Sequence, residues 1–187
     1  SNVAIGNDAL GSITTGNNCT AVGKAALGSN TTGTDNCAFG HSAMGSATNT
    51  GSGRNNAFGY EALQNLTTGT QNQGIGFQAG AALTTGSYNQ IMGAEAMENS
   101  TTASNCVAIG HDALRQAAVS SLVAIGFQAL AANTTGEKNT AIGYQAMLTN
   151  ISGQSNTAVG YEALKTITSS GHHNTAVGAQ SMKVATS

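Results

Sequence analysis

The sequence predicts an all-β chain wound as a solenoid of about eleven coils. Three observations carry that expectation. A unit of about 17 residues recurs from one end of the chain to the other. Each unit carries large and small apolar residues at fixed places. The composition is that of a thin layered core: 40% hydrophobic and mostly small, 7% charged, 4% aromatic, with neither Trp nor Pro. A globular domain has roughly 25% charged residues, and disordered chains favour Pro, Glu and Lys. This chain fits neither description.

The repeat is anchored on a glycine: Gly6, Gly23, Gly40, Gly59, Gly76, Gly93, Gly110, Gly126, Gly143, Gly160 and Gly178. Successive anchors are 17, 17, 19, 17, 17, 17, 16, 17, 17 and 18 residues apart. The residue before each anchor is large and apolar, from Ile5 and Val22 through Phe39, Phe58, Ile75, Met92, Ile109, Ile125, Ile142 and Val159 to Val177. It is read as the inward core ladder. The residue two before is Ala except at Gly74 and Ile91; three after is Ala except at Ser181; four after is Leu or Met except at Gly80. Two large and two small apolar residues per coil suggest two short strands facing each other across a narrow core.

Each coil then turns through a corner such as Thr31-Thr32-Gly33, Thr84-Thr85-Gly86 or Thr134-Thr135-Gly136. Glycine there is expected to supply positive φ. Asn follows at Asn36, Asn72, Asn89, Asn139, Asn156 and Asn174, placed to bond up and down a ladder. Length changes at Ser46–Arg54 and Thr168–His172, and the short copy at Ala117–Ser121, fall in the corner. Loops absorb insertions while strands keep register. No stretch of eleven residues keeps an unbroken helical period, although a piece such as Tyr144-Gln145-Ala146-Met147 suits one helical turn.

With Ile142 assigned inward, Ala141 and its equivalents face outward, and their uniform smallness predicts close chain-to-chain packing along the rod. A slender core points the same way, toward a homotrimer.

The segments Asn156-Thr157-Ala158-Val159-Gly160-Tyr161-Glu162-Ala163-Leu164 and Asn-Thr-Thr-Gly resemble the repeats of phage tail fibre proteins. Cys106-Val107-Ala108-Ile109-Gly110 and Leu122-Val123-Ala124-Ile125-Gly126 resemble the head repeats of trimeric autotransporter adhesins. The resemblance covers essentially the whole chain. The adhesin heads use a unit of about 14 residues against 17 here, which favours the fibre. It implies a left-handed parallel β-roll, packed or intertwined as a homotrimer. It also implies a virion location, other fibre or tail proteins as neighbours, and host surface glycans as candidate ligands. The expected role is the shaft of a tail fibre carrying a host-recognition tip. The alternatives are a cell-surface adhesin head binding host surface or matrix, a self-assembling extracellular filament, or an ice-binding solenoid. Residues 1–187 read as one repeat domain, opening inside a repeat at Ser1-Asn2-Val3-Ala4-Ile5-Gly6 as a piece of a longer fibre protein would.

Catalysis has no footing in the residues. Glu61, Glu95, Glu162, Asp8 and Asp112 all stand two after the anchor, a repeated position expected to be a solvated face. Neither a cofactor motif nor a Gly-Gly-x-Gly-x-Asp calcium pattern occurs, so the expectation is no enzyme, no cofactor and no metal. A net charge of -2 without a basic patch argues against nucleic acid, and no apolar run suits membrane insertion. Cys19, Cys37 and Cys106 match no disulfide or zinc spacing. Cys19 and Cys37 are out of phase and should not meet. His172-His173 is expected as an exposed turn, with a shared metal in a trimer as the sharper alternative. Adjacent Thr side chains at the corners diverge, which weighs against ice binding. Asn30-Thr31-Thr32 and Asn133-Thr134-Thr135 are glycosylation sequons that arise from composition. The one candidate surface or interface ladder is aromatic, just after the anchor: Tyr60, Phe77, Phe127, Tyr144 and Tyr161, with His41 and His111 in the same place.

Overall fold

A computed structural model describes residues 1–48, 53–167 and 171–185. Parts of the two longest corners, 49–52 and 168–170, lie outside the described residues, as do 186–187. The chain is a β-solenoid. Eleven three-residue strands stack in chain order into one parallel sheet: β1 (Val3–Ile5), β2 (Thr20–Val22), β3 (Cys37–Phe39), β4 (Asn56–Phe58), β5 (Gln73–Ile75), β6 (Gln90–Met92), β7 (Val107–Ile109), β8 (Val123–Ile125), β9 (Thr140–Ile142), β10 (Thr157–Val159) and β12 (Thr175–Val177). A two-stranded parallel pair, β11 (Thr166–Ile167) with β13 (Val184–Ala185), covers the last coils. Every rung keeps the repeat register, Ala141 opposite Ala158 and Ile142 opposite Val159. The described residues contain no helix.

The inside and outside of the strand are the reverse of the sequence expectation. Ala21, Ala38, Ala57, Ala108, Ala124, Ala141 and Ala158 are fully buried. The large residue before each anchor stands outside: Ile5, Phe58, Ile75, Met92, Ile142 and Val177 are exposed, and Val22, Phe39, Ile109, Ile125 and Val159 are half-buried. The reason is room. The core of each coil is already filled by the Leu or Met four after the anchor, completely buried at Leu27, Met44, Leu63, Met97, Leu114, Leu130, Met147 and Leu164. Only a methyl group fits opposite.

The second apolar pair of each coil is not a strand. It is a chain of tight turns in which the second and fourth residues after the anchor are left-handed, as at Gln145 (φ 52°) and Met147 (φ 50°). The expected helical turn at Tyr144–Met147 is this turn chain instead. A left-handed Leu or Met costs roughly 1–2 kcal/mol and persists only where its surroundings over-determine it. Here Met147 N donates to Ala163 O at 3.1 Å and Ala146 N to Gly143 O at 3.3 Å, so the strained segment bonds both within itself and to the next coil.

The positive φ expected at the corner glycines is found at the anchors instead. The anchors have φ between 119° and 140°, and a Cβ on Gly143 would stand 2.3 Å from Gly160 O. The corner glycines have no positive φ. They are required by close approach, since a Cβ on Gly86 would meet Ala103 O at 2.0 Å.

Buried asparagines seal the corner. Asn72 N donates to Asn55 Oδ1 at 2.9 Å, and Asn72 Nδ2 donates to Gly86 O at 2.9 Å. The next coil repeats the pattern at Asn89, whose N and Nδ2 donate to Asn72 Oδ1 at 3.1 and 3.0 Å. A second set, not anticipated from the sequence, closes single corners: Asn30 Nδ2 donates to Gly33 O at 3.1 Å, while Asn30 Oδ1 accepts from Gly33 N at 3.1 Å. Asn30 and Asn133 are fully buried in the folded chain.

Candidate functional site

The outward faces, not the core, carry the features available to a partner. On the sheet, the residue before each anchor forms a continuous apolar column along eleven rungs. Phe39 and Phe58 stack within it at 4.9 Å. Beside Met92 the column dips into a depression of about 200 Å³ lined by Ile75, Ile91, Met92 and Ile109 among others. The interface expected at the alanine positions is therefore overturned: those alanines pack inside their own coil, and the apolar surface belongs to the residue that follows them.

The aromatic residues just after the anchors form stacks. His41, Tyr60 and Phe77 stack at 5.2 and 5.4 Å with planes 10° and 11° apart. His111, Phe127, Tyr144 and Tyr161 form a second stack at 5.5, 5.2 and 5.3 Å. All seven rings are exposed, with a neighbouring ring on both sides of Tyr60, Phe127 and Tyr144 and on one side of the other four. The main chain holds the spacing, with Gln145 N donating to Phe127 O at 2.8 Å and Glu162 N to Tyr144 O at 2.9 Å.

The position two after the anchor is the expected solvated face at Asp8 but only half-exposed at Glu61 and Glu95. Asp112 and Glu162 are buried, and side-chain amides link this column from coil to coil. Gln78 Nε2 donates to Glu61 at 2.8 Å, Gln145 to Gln128 at 2.9 Å, and Gln180 to Glu162 at 3.1 Å. Lys165, Lys183 and Gln180 hold the Glu162 carboxyl down to about 2. The Tyr60 hydroxyl titrates above its ordinary range because it bonds to Glu61.

Glu95, His111 and Asp112 offer ligand atoms within 4.8 Å of one another. The counter-charge is already there. Arg115 reaches Glu98 at 2.8 Å, Glu95 at 3.3 Å and Asp112 at 3.4 Å. The bond to Glu98 raises the Arg115 pKa above its ordinary value.

His172 and His173 are both exposed, with ring centroids 6.5 Å apart and tilted by 58°. His173 takes a left-handed turn position (φ 59°), and His172 Nδ1 accepts from Gln154 N at 3.0 Å, so the pair serves the corner. At the corners, Thr67 and Thr84 donate their hydroxyls to the carbonyls of Thr84 and Thr101. The three cysteines are unpaired, and burial pushes all three thiols up. Cys19 and Cys106 stand in the asparagine column, which explains their burial; the neighbouring Cys37 stands on the outward strand face. Compared with known proteins, the chain matches no family model, no curated protein and no solved structure.

Proposed function

We propose that this chain is a structural segment of an extracellular fibre, the shaft of a phage tail fibre in which three copies associate side by side. The observation that carries the reading is the exposed apolar column on the sheet. Eleven rungs at about 4.8 Å each make a stripe roughly 50 Å long, and contiguous apolar surface beyond a few hundred Å² marks interaction sites. Ile5, Phe58, Ile75, Met92, Ile142 and Val177 supply it, and no charged residue interrupts the column. A second copy with the same rung spacing presents complementary ridges and grooves. Three copies rather than two are favoured by the resemblance of the repeat to trimeric fibres and adhesin heads.

The role as shaft is supported by uniformity. The coils repeat one geometry, and ion pairs form both within a coil, as Arg115 with Asp112 at 3.4 Å, and between coils, as Lys183 with Glu162 at 2.9 Å. The fibre surroundings expected for such a segment are a virion, other tail proteins and a tip that meets the host. Static light scattering on the purified chain tests the proposal. The expected mass is three chains, reduced to one by Ile109→Lys with Ile125→Lys while the β-type circular dichroism is kept. A folded wild-type monomer at micromolar concentration overturns it.

A further inference from the structure

The aromatic ladder has a missing rung. Ala94 occupies the position just after the anchor in the coil between Phe77 and His111. The backbone there is in full register, since Glu95 N donates to Phe77 O at 2.9 Å and Asp112 N donates to Ala94 O at 3.1 Å. Phe77 and His111 thus face each other across one ring-less coil. Each stacks on its far side, Phe77 on Tyr60 and His111 on Phe127, with planes 11° and 21° apart. Within the two stacks the inner rings are covered on both faces, and the outer ends, His41 and Tyr161, face the non-aromatic Lys24 and Ala179. Among the described residues, Ala94 is the one position with an uncovered aromatic face on both sides.

We propose that this slot binds one neutral pyranose ring, held between Phe77 and His111 over Ala94. Thickness is the first argument. Two coil rises separate the wall planes by about 10 Å, and subtracting half a van der Waals contact for each wall leaves roughly 6 Å. A flat ring is thinner than that and leaves space on both faces. A chair with axial C–H groups on both faces fills it and turns those C–H groups toward the π faces.

The rim is the second argument. The Glu95 carboxylate lies within 4.8 Å of the His111 ring nitrogen, beside Arg115 at 3.3 Å. Acceptor and donor stand together at the mouth, suited to ring hydroxyls and of no use to an unsubstituted aromatic ring. Charge is the third. Glu95, Glu98 and Asp112 outnumber Arg115 around the mouth, which disfavours an acidic sugar. The slot lies beyond the anchor glycine, where the chain has left the sheet, so it goes beyond the fibre proposal and does not depend on the number of chains.

Saturation-transfer difference NMR with methyl β-glucopyranoside, methyl β-galactopyranoside and methyl N-acetyl-β-glucosaminide, with indole as the flat probe, tests it. The expected result is transfer to the ring C–H protons of at least one pyranoside. Ala94→Phe supplies the missing rung and should abolish the transfer with the circular dichroism unchanged. Phe77→Ala, which removes one wall, should weaken binding about tenfold. The proposal is overturned if no pyranoside binds at millimolar concentration, if indole alone binds, or if both variants bind the pyranoside as the wild type does.

Discussion

Ile91 fills the space that Gly80 leaves. A Cβ on Gly80 would lie 2.8 Å from Ile91 Cδ1, and Ile91 is buried where nearly every other coil has Ala. Gly80 is left-handed (φ 63°), like the Leu or Met of every other coil, so its backbone conformation is the standard one and only the side chain is missing. One coil has moved its bulk from the turn chain to the strand. Ile91→Ala alone should cost about 2–5 kcal/mol through the cavity it opens. Gly80→Leu alone should destabilise by overpacking. The double variant should recover most of the loss, because it restores the arrangement of the other coils. Urea unfolding of the three variants checks this, and additive losses would show that the two sites do not share one space.

The reversed strand gives a second expectation. Ala124→Ile forces bulk into a filled core, where Ala124 is fully buried, and should cost about 1–3 kcal/mol. Ile125→Ala removes an outward side chain and should change the stability of the isolated chain by only about 0.5 kcal/mol. Unfolding measured over a range of protein concentrations separates the effects. The Ala124 variant should lose stability throughout, and the Ile125 variant only where chains associate. The opposite ranking would return the large residue to the inside.

The asparagine column predicts a polar cost. Asn72→Ala leaves Gly86 O without its side-chain donor and Asn89 N without its acceptor. Each orphaned buried group costs about 1–3 kcal/mol, so a loss of about 2–4 kcal/mol is expected in urea unfolding. A neutral outcome would mean that water replaces the amide.

Glu162 sets a pH dependence. Its folded-state pKa is about 2, below the ordinary 4.5, because Lys165, Lys183 and Gln180 bond its carboxylate. A group lowered on folding contributes stability above its unfolded pKa and loses it as pH falls through the folded one. That contribution should fade between about pH 4.5 and 2. Thermal midpoints of wild type and Glu162→Gln should therefore converge as the pH drops through this window, and parallel curves would refute the assignment.

The coil length, the anchor, the parallel register and the columns of like residues were legible in the sequence because stacking repeats them at one spacing. The orientation of the strand was not. Alternation says that Ala141 and Ile142 face opposite ways and is silent on which side is the core. The deciding fact is that Met147 enters the core from a left-handed turn, a conformation that neither a two-residue nor a 3.6-residue period reveals. The aromatic column was legible as a pattern. The gap at Ala94 stood out only when the structure showed Phe77 and His111 each stacked on its far side. Asn30 and Asn133 were legible in the sequence only as sequons arising from composition, and their burial across the corner came from the structure.

The asparagine column runs unbroken through Asn36, Asn55, Asn72 and Asn89, lapses at Cys106 and Leu122, and resumes through Asn139, Asn156 and Asn174. At the lapse the anchor spacing shortens to 16 and the corner glycine gives way to Ala103 and Val119. Since each coil touches only its neighbours, stability along the rod is a sum of nearest-neighbour terms, and this seam lacks the side-chain amide links that join the coils on either side. The solenoid should therefore behave as two cooperative blocks meeting at one softer joint. Under pulling or heat it should part there first, each half keeping its own winding and serving as the template on which the other rewinds.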